Sequence, residues 1–359
     1  RPTVLDIDHH LTVAGTGSFV PERIVDNTTL EGMVTGFRQE EGGDPFHVWV
    51  DRVTHIHERR YLDFDGSSGD MAREACRLAI ESSGVDPADI DLFLMATFTT
   101  KNIYPGEQTM LVEEFGMKGG NAPTFYLTAG CAGSVYALQT ATAFLRAGIY
   151  RNALVVGTEH LAHVINFDDP VTAILFGDGA GAVMLSRRDE PGPGGLSRHC
   201  VLGSSYAPGS IVMDNANVPR RDQLHMIEGG EGYASIATDR HYVSMTSGPR
   251  VLRTAVNAMA DATVRSLGFT MADLKQKNPE LRELLDRAKI VPHQANGRII
   301  DGLRDKLRVR DEQVYKTIYR YGNISCASNT ITLDYANRRG NMKRVVGENG
   351  DCHIEDDVG

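Results

Sequence analysis

Leu92-Phe-Leu-Met-Ala96 is an unbroken apolar run, bounded by Asp91 and Thr97. A strand with one wet face alternates polar and apolar residues; a strand apolar at every position is buried on both faces, as in a parallel sheet covered by helices. The surrounding pattern agrees. Leu11–Ala14 reads as a first strand, with Gly15-Thr-Gly17 as its turn, and Asp70–Ser83 as a helix with Met71, Ala75, Leu78 and Ala79 on one face. Helix Glu107–Phe115, strand Thr124–Leu127, helix Ser134–Leu145 and strand Ala153–Val156 follow, then the apolar pair Ala173–Phe176 and Ala182–Leu185 around Gly177-Asp-Gly-Ala-Gly181. Strands alternating with helices specify an α/β protein.

Asp189-Glu-Pro-Gly-Pro-Gly-Gly195 interrupts the pattern, five of its seven residues being Pro or Gly, and divides the chain into lobes 1–188 and 189–359. Beyond it come an irregular stretch, Tyr206–Tyr242, then helix Pro249–Leu267, strand Lys289–Val291, helix Ala295–Leu307 and helix Ala327–Arg338. Each half carries strand-turn-helix units, compatible with a duplication, though no residue-level repeat is visible.

Composition narrows the function. The 359 residues carry 37 Lys+Arg against 47 Asp+Glu, a net charge of −10, which argues against a nucleic-acid binder. No apolar run spans a membrane and no secretory start is present, so a soluble, cytoplasmic chain is expected. The five cysteines, Cys76, Cys131, Cys200, Cys326 and Cys352, are odd in number and widely spaced, which fits free thiols. No metal site is expected. The nearest pair to one, His55-Ile-His57, reads as a solvated strand face.

Three strings fall where a strand ends and a helix begins, the place where side chains that catalyse gather in α/β sheets. In Ala129-Gly-Cys131-Ala-Gly133 a thiol sits at a helix N-terminus, which favours the thiolate, among small neighbours that admit a substrate carbonyl. Val291-Pro-His293-Gln-Ala-Asn296 offers an imidazole, and Tyr321-Gly-Asn323-Ile-Ser325 an amide. Singly, each has a structural reading: inert core thiol, structural His, capping Asn. Together they supply a nucleophile and two hydrogen-bond donors.

From about Leu11 to Arg339 the chain resembles the thiolase-fold condensing enzymes, and among them β-ketoacyl-acyl carrier protein synthase III. The resemblance is carried by Gly15-Thr-Gly-Ser-Phe-Val-Pro21, Ala129–Gly133, Phe176-Gly-Asp-Gly-Ala-Gly181, Val291–Asn296 and Gly322-Asn-Ile-Ser325, in the family's order. It implies a thiolase-like fold of two similar α/β lobes packed as a five-layered αβαβα body, with Cys131, His293 and Asn323 as catalytic triad. Cys131 would take an acyl group from a thioester; His293 and Asn323 would stabilise the enolate left when a malonyl thioester loses carbon dioxide. An acyltransferase using an alcohol or amine and a thioester hydrolase are the alternatives. No cofactor is implied, only coenzyme A or acyl carrier protein thioesters as substrates.

The resemblance also places Trp49 where relatives stack adenine. The family's following arginine falls on Val53, with Arg52 adjacent, and a second on Pro170. Asn296 falls in the substrate-binding set. Tyr104 matches an aromatic that relatives insert across a homodimer interface to close the acyl pocket. Arg253, Arg298, Arg304 and Lys306 match cations that dock an acidic carrier protein. Relatives end in a Gly-rich loop between two strands that completes the oxyanion hole. Here Gly347-Glu-Asn-Gly350 reads as a hairpin turn, so either the chain stops before those strands or the oxyanion site is built differently. The extra length falls in Glu40–Pro45 and Tyr206–Glu231.

Overall fold

The computed structural model describes residues 5–203, 248–340, 342–346 and 352–356, with residues 211, 213, 224–226, 233–235, 242–243 and 245 between. Most of the Tyr206–Tyr242 stretch, including most of the Tyr206–Glu231 insertion, and the Gly347–Gly350 turn lie outside the described residues. The principal elements are β1 (Leu11–Phe19), α1 (Phe46–Thr54), α2 (Ser68–Ser83), β2 (Leu92–Ala96), α3 (Glu107–Phe115), β3 (Thr124–Leu127), α4 (Gly133–Arg146), β4 (Asn152–Glu159) and β5 (Gly179–Arg187), then α5 (Gly248–Ser266), α6 (Pro279–Arg287), α7 (Gly297–Leu307), α8 (Ala327–Arg339), β6 (Met342–Val346) and β7 (Cys352–Asp356). No helix among the described residues is long and apolar enough to cross a membrane.

The first five strands form one sheet in the order β1-β5-β4-β2-β3. Pairing is parallel for β3-β2 and β2-β4, and antiparallel for β4-β5 and β5-β1. The sheet is therefore mixed rather than wholly parallel. Every residue of β2 and β4 is buried, as the apolar run requires. Phe93, Met95, Leu154 and Val156 face α2 and α3, while Leu92, Leu94, Ala153 and Val155 face α4. Burying each such side chain contributes about 1.5–3 kcal/mol, and here successive residues of one strand serve two cores.

Gly15-Thr-Gly17 is not a turn. It lies inside β1, because a Cβ at Gly15 would stand 2.6 Å from the Ala79 carbonyl oxygen and one at Gly17 would stand 2.4 Å from that of Ala75. The glycines let α2 rest directly on the strand. On the opposite face Thr16 and Ser18 donate to the Asp334 carboxylate of α8, at 2.8 and 2.6 Å. The same close approach recurs at Gly181, whose Cβ would meet the Ile331 nitrogen at 2.5 Å. The glycines of Gly177–Gly181 thus enter a strand, and Ala173–Phe176 is not its partner: Pro170–Ala173 is a short helix and Phe176 bridges to Asn323.

The C-terminal half packs α5, α6, α7 and α8 around a second core that includes Val264, Leu285, Ile300, Leu303 and Tyr335. Its expected strand at Lys289–Val291 is a single parallel bridge, Ile290 to Val314. β6 and β7 pair antiparallel, Met342 opposite Asp356 and Val346 opposite Cys352. The histidines read as a strand face are not one. His55 closes α1 in the left-handed conformation and lies 3.3 Å from Asp301, while His57 lies 3.0 Å from Asp51.

Candidate active site

Gly130 adopts φ +53°, a left-handed backbone that costs glycine little, and so turns the chain from β3 into α4 with Cys131 at the turn. The thiol therefore stands at a helix N-terminus. Ser325 approaches it from the other half of the chain, its Oγ 3.7 Å from Cys131 Sγ. Burial pushes the Cys131 thiol up, opposed by that contact, where sequence reasoning from the helix end alone expects it lowered. Desolvation of the surrounding apolar wall is the effect the sequence pattern omits.

Ser325 itself is held at φ +44°, a region that costs a side-chain-bearing residue on the order of 1–3 kcal/mol and is tolerated mainly at functional turns. Its N–H donates to Asn323 Oδ1 at 2.8 Å. That bond fixes the Asn323 amide and leaves its Nδ2, the donor end, for the cavity that Asn323 lines. The Asn323 backbone is clamped in turn, its N–H donating to Leu175 O at 2.8 Å and its carbonyl accepting from Gly177 N at 3.1 Å. This explains the spacing of the Phe176–Gly181 string: it holds the amide in place.

His293 sits on a loop pinned by Gln294, whose Oε1 accepts from Thr317 N and Ile318 N and whose Nε2 donates to Pro292 O and Tyr315 O. The imidazole lines the cavity, and neither ring nitrogen has a hydrogen-bond partner among the described residues, although both are buried. Such an orphan costs about 1–3 kcal/mol, which a hydrogen-bonding group entering the cavity would relieve. Burial lowers its pKa to about 4, so the ring is neutral near pH 7.

One cavity of about 1650 Å³ brings Cys131, His293, Asn323 and Ser325 together from both halves of the chain. Trp49 and Asn296 line it too. Trp49 packs on Phe37 and Phe46 at ring distances of 5.1 and 5.9 Å, so it is both a packed aromatic and a cavity wall. Asn296 caps α7 by accepting from Arg298 N, and its Nδ2 donates to Val53 O. Arg52 is not at the cavity; it is exposed and paired to Asp44 at 2.6 Å, because its position on α1 turns it toward the 40–45 loop. Tyr104 does not line the cavity of its own chain and is 92% exposed.

The four cations divide. Arg253 and Arg298 are exposed at the cavity rim. Arg304 faces three aspartates, Asp301, Asp305 and Asp311, at 2.8–3.2 Å, and Lys306 donates to Asn257 at 2.6 Å. Arg304 is therefore neutralised within its own fold. No group of three or more residues able to hold a metal ion occurs among the described residues. Sequence reasoning missed the buried contact of Glu159 with Thr97 and Thr99, two threonines that line the cavity. The only signal was a Glu at the end of a fully buried strand.

Comparison with known proteins identifies the family of the chain. The model of the 3-oxoacyl-[acyl-carrier-protein] synthase III family matches residues 125–201, and that of the family's C-terminal region matches 284–346. The β-ketoacyl-[acyl-carrier-protein] synthase III of Caldanaerobacter subterraneus is 34% identical over 335 residues, covering 92% of this chain and 90% of the relative. That of Alkalilimnicola ehrlichii is 35% identical over 332 residues, covering 92% of each. Among solved structures, the priming β-ketosynthase of the R1128 polyketide pathway superposes with TM-score 0.69 at 30% identity, covering 99% of both chains. The Aquifex aeolicus 3-oxoacyl-[acyl-carrier-protein] synthase III gives TM-score 0.66 at 26% identity, over 96% of this chain and 98% of that one.

Proposed function

Since the chain belongs to the 3-oxoacyl-[acyl-carrier-protein] synthase III family of condensing enzymes, with its thiolase fold, we propose that Cys131, His293 and Asn323 carry a decarboxylative condensation. The Cys131 thiolate attacks an acyl thioester; the donor thiol leaves and an acyl-enzyme remains. A malonyl thioester then enters with its carbonyl oxygen toward His293 and Asn323 Nδ2. The bond to its carboxylate breaks, carbon dioxide departs, and the electron pair is held as an enolate whose oxygen accepts hydrogen bonds from the two side chains. The enolate carbon attacks the acyl carbon, expelling Cys131 thiolate and releasing a β-ketoacyl thioester.

The observation that supports this assignment is the meeting of a half-buried thiol, an imidazole with no hydrogen-bond partner among the described residues and a clamped amide in one cavity. A neutral imidazole and an amide donate without carrying a charge that would trap the product. The extender is proposed to arrive on an acyl carrier protein docked at Arg253 and Arg298. The exposed Ile103 and Tyr104, 64% and 92% accessible, are proposed to be covered in a homodimer. Sedimentation of a Tyr104→Asp variant as monomer, against a dimeric parent, checks that part. The chemistry is tested by intact mass after incubation with a panel of acyl thioesters: the parent gains one acyl mass and Cys131→Ala gains none. Normal loading of Cys131→Ala would remove the assignment.

A further inference from the structure

Ser325 stands at the head of α8, where a serine hydroxyl ordinarily accepts a hydrogen bond from one of the free N–H groups of the helix. It does not do so here. The N-cap of α8 is Cys326, with no side-chain cap, and the hydroxyl that takes a backbone N–H at this turn is that of Ser328, which accepts from Ile324 N at 3.0 Å. Ser325 is buried, and its Oγ meets a single partner among the described residues, Cys131 Sγ at 3.7 Å. The converse also holds: Ser325 Oγ is the only side-chain hydrogen-bond partner of that sulfur among the described residues.

A buried hydroxyl left without a partner costs free energy, so its proton is directed at the sulfur. A thiol accepts weakly and a thiolate strongly, and ionisation turns the contact into a charge-assisted hydrogen bond. The backbone points the same way. At φ +44° glycine would sit without strain, whereas serine is held there at a cost. What serine adds to glycine is the hydroxyl, and the hydroxyl touches the nucleophile.

We propose that Ser325 is a further catalytic residue: its Oγ–H donates to the Cys131 thiolate, lets go when the sulfur takes the acyl group, and donates again when condensation expels it. No bond to Ser325 is made or broken. Its N–H, donating to Asn323 Oδ1 at 2.8 Å, ties the same residue to the amide, so one turn serves both half-reactions. Other titratable groups flank this turn. His293, His160 and His163 line the same cavity, and Cys326, with Glu159 behind it, follows Ser325 directly.

The proposal rests on Cys131 being the nucleophile, and its test uses no acyl substrate. The rate of Cys131 alkylation by iodoacetamide is measured against pH, with the modified peptide located by mass, in the parent, Ser325→Ala and Ser325→Gly. Both variants lose the hydroxyl and keep the N–H that holds Asn323. Glycine also relieves the backbone, so it gives the reading if the alanine variant does not fold. The midpoint should rise by about one pH unit, because the thiolate loses a donor that the thiol scarcely uses, and alkylation at pH 7 should slow about tenfold. An unchanged midpoint in either folded variant would overturn the proposal, whether or not the chain condenses thioesters. A serine that only packed would, on removal, admit water to the sulfur and lower the midpoint, which would equally overturn it. A raised midpoint in a protein that forms no β-ketoacyl product would support the proposal and fault the condensation reading alone.

Discussion

At the scale of single residues, the site separates loading from decarboxylation. Asn323→Ala keeps the thiol and should still take up one acyl group by intact mass, while release of carbon dioxide from a malonyl thioester falls by about 10²–10³, the cost of losing one preorganised donor. His293 sets the acid limit. Its burial moves the protonation from the usual 6.5 to about 4, so single-turnover decarboxylation should hold its rate from pH 7 down to about 5 and fall with a midpoint near 4. A midpoint near 6.5 would show that the imidazole is solvated. The same shift acts on stability: between those pH values the unfolded chain holds a proton that the folded chain excludes, so stability declines as pH drops from 6.5 toward 4. The three chemical residues were legible because each sits in a short string that carries the family resemblance, although only the Cys131 string follows a strand; a single bridge precedes His293 and a short helix precedes Asn323. Ser325 stood out only as part of such a string, and the contact of Glu159 with Cys326 was not legible at all, because it joins residues 167 positions apart.

At the scale of elements, periodicity located the helices well. The helices expected at Asp70–Ser83 and Ser134–Leu145 each begin one or two residues earlier, at Ser68 and Gly133, and the first is fixed by a Ser67–Asp70 capping box. The α1 helix, Phe46–Thr54, was not expected; the histidines read as a strand face, His55 and His57, lie at and just past its C-terminal end. The misread glycines of β1 have a stronger lesson. A glycine-rich pair looks like a turn in sequence, but here it is the only residue type that lets a helix backbone touch a strand. Gly17→Ala should therefore destabilise the fold by about 1–3 kcal/mol, read as a lower urea midpoint. Gly32→Ala, whose Cβ would stand 3.5 Å from the Thr29 carbonyl at an ordinary helical φ, should leave the midpoint nearly unchanged.

Over the whole molecule, the two halves are joined at the site. α8 lies on the N-terminal sheet through Asp334 and Gly181, and the same segment brings Asn323 and Ser325 to Cys131. The net charge of −10 would repel an acidic carrier protein at long range, so docking must rely on local cations. Among the described residues, Arg253 and Arg298 are exposed at the cavity rim and are the pair proposed for this, whereas Arg304 is already compensated. Arg298→Glu should raise KM for a carrier-bound malonyl substrate at least several-fold, with little change for the coenzyme A thioester, and the effect should shrink with added salt. Arg304→Gln should leave that KM alone and lower thermal stability instead.

The central claim is that this cavity makes a carbon–carbon bond by decarboxylation. Purified protein supplied with an acyl thioester and a malonyl thioester labelled at the free carboxyl should release one labelled carbon dioxide for each β-ketoacyl thioester detected by mass. Free acid accumulating while the label stays in malonate would contradict it.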